Sequence, residues 1–308
     1  MARTQLRKAV ILISVIALCG CAFFLKAAAE ENYIENEWNY VDGSMDVSHG
    51  IPENATGVLD RIRRNGVLRV ATEPYFPPQE FIDPDGTGQK QYAGADMELA
   101  RLIAERMGVE LQIIPMEFSR VLTALTEDEA DLTVSAIAFT PSRANTCTLS
   151  KGYYYSDSTA STVLIVREAE KDRFTDLSVL ANKTLIAQSS SLQEALAAKH
   201  VANYREFRRV SSIQTVYDAV EQGKADAGVV DMETAENYIR NNPESGLALV
   251  EELYFTLEEQ YQGDRIAAKK GETQLIYFVN GVIDEVLADG TYMKWIDKAQ
   301  KRADELGM

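Results

Sequence analysis

The chain has 308 residues, of which 46% are hydrophobic and 25% charged, ample for a large core and more than one compact lobe usually holds. Its 31 Lys and Arg stand against 47 Asp and Glu, a formal net charge of −16. It therefore lacks the basic excess with which a nucleic-acid binder displaces counterions, and acidity of this size by itself says only that the chain is soluble.

The first twenty residues read as a targeting segment. Arg3, Arg7 and Lys8 give a basic start, and Ala9 to Leu18 is apolar apart from Ser14. The run ends in Leu18-Cys19-Gly20-Cys21, which resembles the lipobox of bacterial lipoproteins. On that reading residues 1–20 are a lipoprotein signal peptide that is removed, and Cys21 is acylated and becomes the new N-terminus. The alternative is an uncleaved anchor helix, because the apolar run continues through Ala22-Phe23-Phe24-Leu25, giving 17 residues from Ala9. Both readings place the bulk of the chain outside the cytoplasmic membrane. Beyond this segment only Cys147 remains, so no intramolecular disulfide can form and stability must come from packing.

Residues 21–57 read as an acylated N-terminus and a flexible tether. From Ala27 to Asn54 the chain is acidic, rich in Asn and poor in aliphatic periodicity. From Leu59 onward strand and helix patterns alternate. The apolar patterns predict strands at Val67–Thr72, Leu111–Ile114, Asp131–Ala136, Thr162–Val166, Thr184–Ala187, Phe207–Val210, Ala225–Val230 and Arg265–Lys269. Between them, helical spacing predicts helices at Asp96–Met107, Ser119–Leu125, Leu192–Lys199, Ile213–Glu221, Met232–Arg240, Thr273–Ala288 and Tyr292–Ala303. This order implies an α/β protein whose mostly parallel sheets are covered by helices. Ligands then bind beyond the carboxyl ends of strands, where loops meet helix N-termini.

At such ends stand residues that could hold a zwitterion. A carboxylate needs a fork of donors and an ammonium needs a fixed acceptor, both partly desolvated. Arg143 lies in Thr140-Pro141-Ser142-Arg143, where Thr140 suits a helix cap and Pro141 the first helical position, so Arg143 falls in a first turn with free N–H groups beside it. It could equally pair with a neighbouring carboxylate of the same lobe. Ser189-Ser190-Ser191-Leu192-Gln193-Glu194 opens a second helix, with Ser191 and Glu194 spaced as a capping box. Asp231 ends the strand from Ala225 and is either a cap for the following helix or an ammonium contact. Phe76 and Phe118 flank the same sheet end, as core or as walls of a cleft.

In this order the pieces closely resemble the extracytoplasmic solute-binding proteins of ABC importers, the polar amino acid-binding family (family 3). The resemblance covers about residues 58–300. It is carried by Gly66-Val67-Leu68-Arg69-Val70-Ala71-Thr72 with Pro77-Pro78, and by Tyr92-Ala93-Gly94-Ala95-Asp96-Met97-Glu98-Leu99-Ala100. Ala130-Asp131-Leu132, Thr140-Pro141-Ser142-Arg143, Leu149-Ser150 with Tyr153-Tyr154, Gly223-Lys224-Ala225-Asp226-Ala227 through Asp231, and Asp289-Gly290-Thr291 complete it.

The resemblance implies a type II periplasmic-binding-protein-like fold with two hinge crossings, lobe 1 being 58–156 plus 262–308 and lobe 2 being 157–261. It makes Arg143 the carboxylate-binding arginine and Asp231 the ammonium-binding acid. Glu73, Phe76 and Phe118 take first-lobe side-chain contacts, Ser135, Ala136 and Ala138 line a strand-to-helix turn, and Ser191, Leu192 and Gln193 form the second-lobe contact. Glu73 beside two aromatics suits a cationic side chain, with glutamine, cystine or another polar amino acid as the alternatives. Ala138 stands where the family often has a hydroxyl, Ser190 where it often has glycine, and Ala136 replaces a small polar residue. The expected protein is a monomeric, membrane-anchored binding protein without cofactor or metal. It closes its lobes on an amino acid and delivers it to an ABC permease. The rivals are a sensor that presents the ligand to a signalling partner, and a dehydratase on the same scaffold with Glu73 as acid. Against the enzyme stand the two histidines, His49 and His200, both in ordinary polar contexts, and the lack of a phosphate loop, metal cluster or serine–histidine set.

Overall fold

The structure, a computed structural model, describes residues 40–155, 162–256, 258 and 262–308. The expected signal peptide, Cys21 and the first part of the expected tether lie outside these residues, and the expected crossings between the lobes fall on or beside the gaps. Among the described residues no helix is long and apolar enough to cross a membrane.

The strands are β1 (Val67–Thr72), β2 (Tyr75–Phe76), β3 (Glu80–Ile82), β4 (Tyr92–Ala93), β5 (Glu110–Pro115), β6 (Leu132–Ala138) and β7 (Cys147–Leu149), then β8 (Thr162–Arg167), β9 (Thr184–Gln188), β10 (Glu206–Val210), β11 (Ala227–Asp231), β12 (Leu247–Phe255) and β13 (Asp264–Lys269). They build one five-stranded sheet in the order β5-β1-β6-β13-β7 and another in the order β10-β9-β11-β8-β12. In each sheet four strands run the same way and one is reversed, β13 in the first and β8 in the second. The reversal has a simple cause. β8 and β13 are the first strands after the chain passes from one sheet to the other, and they start at the end where β11 and β6 finish: Thr162 pairs with Asp231, and Asp264 with Ala138.

Both sheets are buried on two faces, which is why their strands read as continuous apolar runs. In the first, Leu68, Val70, Leu132, Val134 and Ile266 pack under the helices Ala95–Met107 and Thr273–Ala288, while Ala71, Ile137, Leu149 and Ala267 pack with Val121 and Leu125. In the second, Leu164, Val166, Leu185 and Val229 meet the helix Leu192–His200, and Val163, Ile165, Ile186 and Val230 meet the helices Ile213–Glu221 and Met232–Asn241.

The element order follows the sequence closely from Val67 onward. β7, β12, the β2–β4 hairpins and the helix Gly57–Asn65 were not among the expected elements, and the expected helix Ser119–Leu125 is two short pieces, Phe118–Val121 and Thr123–Thr126. The larger difference lies upstream. Residues 40–56, expected to be part of a flexible tether, are packed against the first sheet. Val41 donates its N–H to the Leu149 carbonyl at 2.9 Å, Met45 does so to Tyr277 at 3.1 Å, and Val41 and Val47 are buried. Gly43 and Gly281 permit this approach, since a Cβ on Gly43 would lie 2.4 Å from the Tyr277 ring and one on Gly281 would lie 2.3 Å from the Met45 carbonyl.

Asn280, fully buried, holds the segment in place. Its Nδ2 donates to the carbonyls of Val41 at 2.6 Å and Gly43 at 2.8 Å, and its Oδ1 accepts from the Lys151 N–H at 3.1 Å. Asn280→Leu keeps the volume and strands these main-chain groups, at a cost of about 2–4 kcal/mol. The expected thermal midpoint of the purified chain falls by roughly 5–15 °C; a fall of less than 2 °C by circular dichroism, well under that estimate, contradicts the role given to Asn280.

Candidate functional site

The carboxyl ends of β1, β6, β9 and β11 converge on one cleft. All eleven binding residues expected from the sequence line it: Glu73, Phe76, Phe118, Ser135, Ala136, Ala138 and Arg143 from the side of the first sheet, Ser191, Leu192, Gln193 and Asp231 from the side of the second. Nine further residues share the lining: Gln79, Tyr154, Tyr155, Gln188, Glu233, Thr256, Gln262, Gly263 and Asp264.

Arg143 arrives as its tetrapeptide predicts. Thr140 is extended, its side chain accepts the Arg143 N–H at 3.1 Å, and Pro141 starts the helix Pro141–Thr146. The guanidinium is buried, 7% exposed, and lies 5.6 Å over the Phe118 ring. Its Nη1 donates to the Ala138 carbonyl at 2.8 Å and its Nη2 to the Ser190 carbonyl, on the opposite side of the cleft, at 3.0 Å. Among the described residues no carboxylate ion-pairs with it, so the expected alternative of a same-lobe partner does not hold. Burial lowers its pKa to about 10, which leaves it charged at neutral pH.

Asp231 is both a cap and a cleft residue. Its Oδ1 accepts the Thr234 N–H and hydroxyl, each at 3.0 Å, which starts the helix Met232–Asn241. Burial pushes its carboxyl up to about 6, with the nearby Glu233 charge adding to that rise. Glu73, 3% exposed, accepts from Gln188 Nε2 at 2.6 Å across the cleft, and burial pushes it up to about 8 against that bond. Tyr154 donates to both oxygens of Glu233, at 3.1 and 3.0 Å. Burial, the Asp96 charge and the other cleft acids hold Asp264 well above the usual carboxylate range. Four carboxyl side chains therefore face one guanidinium, and burial favours the neutral form of at least three of them.

The floor is built from main chain. Ser135 accepts the Glu73 N–H at 3.1 Å and donates to Glu80 at 2.8 Å, and the Ala136 N–H donates to Asp96 at 2.9 Å. Asp96 also accepts the hydroxyls of Tyr153 and Tyr292, both at 2.7 Å. Burial and the Asp96 charge push Glu80 well up, so Glu80 is the protonated partner of this pair. Asp96 reaches the floor because its helix starts at Gly94, whose φ of 114° and close approach, with a Cβ 2.1 Å from the Gln79 carbonyl, admit no side chain. On the second-sheet side, Ser191 accepts the Glu194 N–H at 3.0 Å and Glu194 accepts the Ser190 N–H at 2.7 Å, a close variant of the expected capping box. Ser190 holds a φ of 65°, the region that favours glycine.

With this geometry in view, known proteins can be set beside it. Residues 68–301 match the family of bacterial extracellular solute-binding proteins, family 3. The chain belongs to this family. It is similar to an L-arginine-binding protein of Pseudomonas aeruginosa, 25% identical over 232 residues, which are 75% of this chain and 86% of that protein. A structure of the amino acid ABC transporter substrate-binding protein AbpA from Streptococcus pneumoniae, bound to L-arginine, superposes with a TM-score of 0.71 at 31% identity, covering 79% of this chain and 98% of that one. A cyclohexadienyl dehydratase of Pseudomonas aeruginosa is 27% identical over 188 residues, 60% of this chain and 67% of that protein.

In this family 3 protein, the nine lining residues absent from the sequence reading fall into two groups. Tyr154, Tyr155, Gln262, Gly263 and Asp264 lie beside the passages between the sheets. Gly152 and Gly263 leave room there for the Tyr155 ring, which a Cβ on either would approach within 2.6 Å. A sequence signal exists for these, namely Gly152 before the tyrosine pair and Gly263-Asp264 before β13. Gln188 and Glu233 carry no signal, because their role depends on a partner far away in the chain, Glu73 and Tyr154; Gln79 and Thr256 are likewise single polar residues without a motif.

The raised acids make the empty fold pH-sensitive. Glu73 ordinarily titrates at 4.5 and in the fold at about 8, so the folded chain holds a proton that the unfolded chain gives up. The stability this contributes is complete below pH 4.5 and is lost as pH rises through about 8. Glu73→Gln should flatten that decline in unfolding curves between pH 5 and 8, and parallel curves for mutant and wild type would contradict the assignment.

Proposed function

We propose that this chain captures a cationic α-amino acid in the cleft by closing its two halves, residues 58–156 plus 262–308 and residues 157–261, and presents it to an ABC permease. Arg143, with Ala138 and Ser190 carbonyls as its protein partners, binds the carboxylate near the N-terminus of its helix. Asp231 on the opposite side takes the ammonium through the oxygen that Thr234 leaves free. Phe76 and Phe118 wall the side chain, and Glu73, Glu233 and Asp264 supply negative charge for its cationic end. Ser191, Leu192 and Gln193 close over the ligand.

One observation carries this reading: a buried guanidinium, with no ion-pair partner among the described residues, shares the cleft lining with four carboxyls. Burying a charge is costly until an opposite charge joins it, and a ligand with one carboxylate and two cationic groups reduces the imbalance on both sides. The arginine-bound relative agrees with that choice of ligand. The same site favours binding over dehydration, since His49 and His200 lie outside the lining. The anchor reading stands with it: the chain is exported, residues 1–20 are removed, and Cys21 is acylated.

L-Arginine should raise the thermal midpoint in a concentration-dependent way and be recovered unchanged after long incubation. Arg143→Ala should weaken binding at least about a hundredfold while the unliganded midpoint stays near wild type. A mutant that still binds normally defeats the reading.

The affinity should also depend on pH with a defined sign. Asp231 titrates at about 6 and Glu73 at about 8 in the empty cleft, and a cation prefers both ionised. Affinity for L-arginine should rise from pH 5 to pH 8 with proton release, visible as a dependence of calorimetric heats on buffer ionisation enthalpy. Constant affinity over that range, or proton uptake, goes against Glu73 and Asp231 as contacts.

A further inference from the structure

The first half contains a second buried arginine that the proposed binding site does not use. Arg265, 2% exposed, is the second residue of β13. Its Nη1 donates to the Ser150 carbonyl at 3.0 Å and its Nη2 to the Gln262 carbonyl at 3.2 Å. Ser150 lies where the chain leaves the first sheet, and Gln262 where it returns. The outgoing and returning segments are zipped together around that fork. Ser150 N–H donates to Ile266 at 2.9 Å, Ile266 N–H to Ser150 Oγ at 2.8 Å, Tyr153 N–H to Asp264 at 2.9 Å, and Asp264 N–H to Tyr154 at 2.8 Å.

No carboxylate ion-pairs with Arg265 among the described residues. Its charge is covered instead by aromatic rings, with Tyr40 centred 3.9 Å from the guanidinium carbon and Phe139 at 5.7 Å. Tyr40 belongs to the packed N-terminal segment, and the family match begins only at Leu68. The ring is thus delivered by chain outside the part shared with the family. It is fixed by the bonds of Val41 to Leu149 and Asn280. An arginine fork suits this place because one planar group reaches carbonyls on two strands at once, which lysine's single ammonium does not.

We propose that Tyr40 and Arg265 are positioning residues: the ring holds the guanidinium, the guanidinium locks the outgoing and returning segments together, and this sets the geometry with which the halves close. The inference rests on the closure reading above. It assigns to residues 40–47 a part in binding although they lie outside the cleft lining.

The test uses the full chain with Tyr40→Leu, Tyr40→Phe and Arg265→Lys. It measures L-arginine affinity by calorimetry, amide hydrogen exchange at Tyr153 and Asp264, and the thermal midpoint. Tyr40→Leu should weaken L-arginine about tenfold and speed exchange at both amides by a similar factor. Arg265→Lys should match it, and Tyr40→Phe, which keeps the ring over the guanidinium and loses only the hydroxyl contact, should fall between wild type and Tyr40→Leu. A residue that only stabilises the fold lowers the midpoint and leaves affinity alone. Affinity of Tyr40→Leu within about twofold of wild type therefore overturns the proposal, as does weaker binding with unchanged exchange. If wild type takes no L-arginine, the ligand reading fails and exchange decides this proposal: faster in Tyr40→Leu upholds it, unchanged overturns it.

Discussion

A positive charge buried without a counter-ion is the constraint around which the cleft is arranged. Arg143 has surrendered most of its water and received two main-chain carbonyls and the face of Phe118 in return. Carbonyl dipoles offset part of the desolvation cost and leave the net charge uncompensated. Everything near it fits an anion that comes from outside the chain: the first helical turn after Thr140, the strand end at Ala138, and the opposing helix that starts at Ser191. Had a carboxylate of the first half occupied that place, the same fold would hold a structural ion pair and no carboxylate site.

The carboxyls of the cleft pose the mirror problem. Glu73, Asp231 and Asp264 are carboxyls that burial pushes toward their neutral forms, and each raised pKa records charge that the empty cleft disfavours. A cation entering reverses that preference. Hydrogen bonds join the halves across the cleft at Glu73–Gln188, Arg143–Ser190 and Tyr154–Glu233, and away from it at Asn237–Gln300 and Arg240–Asp304. The three in the cleft, each worth about 1 kcal/mol net, make a weak latch at the binding site itself. In the proposed mechanism the ligand adds charge-assisted contacts from both sides, and only such two-sided contacts shift an open–closed equilibrium.

Much of this was legible in the sequence, for physical reasons that can be named. Thr140-Pro141 announces a helix start through cap chemistry and a fixed φ, so Arg143 could be placed within a turn before any fold was known. β1, β6 and β11 were legible because both faces are buried and the apolar run is unbroken. β12 was not: its residues Glu251 and Glu252 are exposed and its register shifts between Val250 and Tyr254, which breaks the pattern. The packed segment 40–56 hid for a related reason. Val41 and Val47 are isolated apolar residues in an acidic stretch, and what fixes them is main-chain bonding to Asn280, Leu149 and Tyr277, far away in sequence. Glu233 and Gln188 were missed because a polar residue near a helix start or at a strand end has no meaning until its distant partner, Tyr154 or Glu73, is known.

The three departures from the family's pattern find their physical sense in the backbone. Ala138 lacks a hydroxyl, yet its carbonyl is one of the two acceptors that orient Arg143, a task that any residue could do. Ser190 replaces glycine at a φ of 65° and supplies the other acceptor, its strained backbone stabilised by the Glu194 carboxylate on its N–H. Ala136, at a φ of 44°, is held by Asp96 in the same way. Under the proposed reading, recognition at the turn falls to main-chain groups pinned by buried acids in place of side-chain hydroxyls. A floor of that kind fixes the α-carbon end of a ligand and says little about its side chain, so under the proposed reading the choice among amino acids rests with Glu73, Glu233, Asp264 and the two phenylalanines.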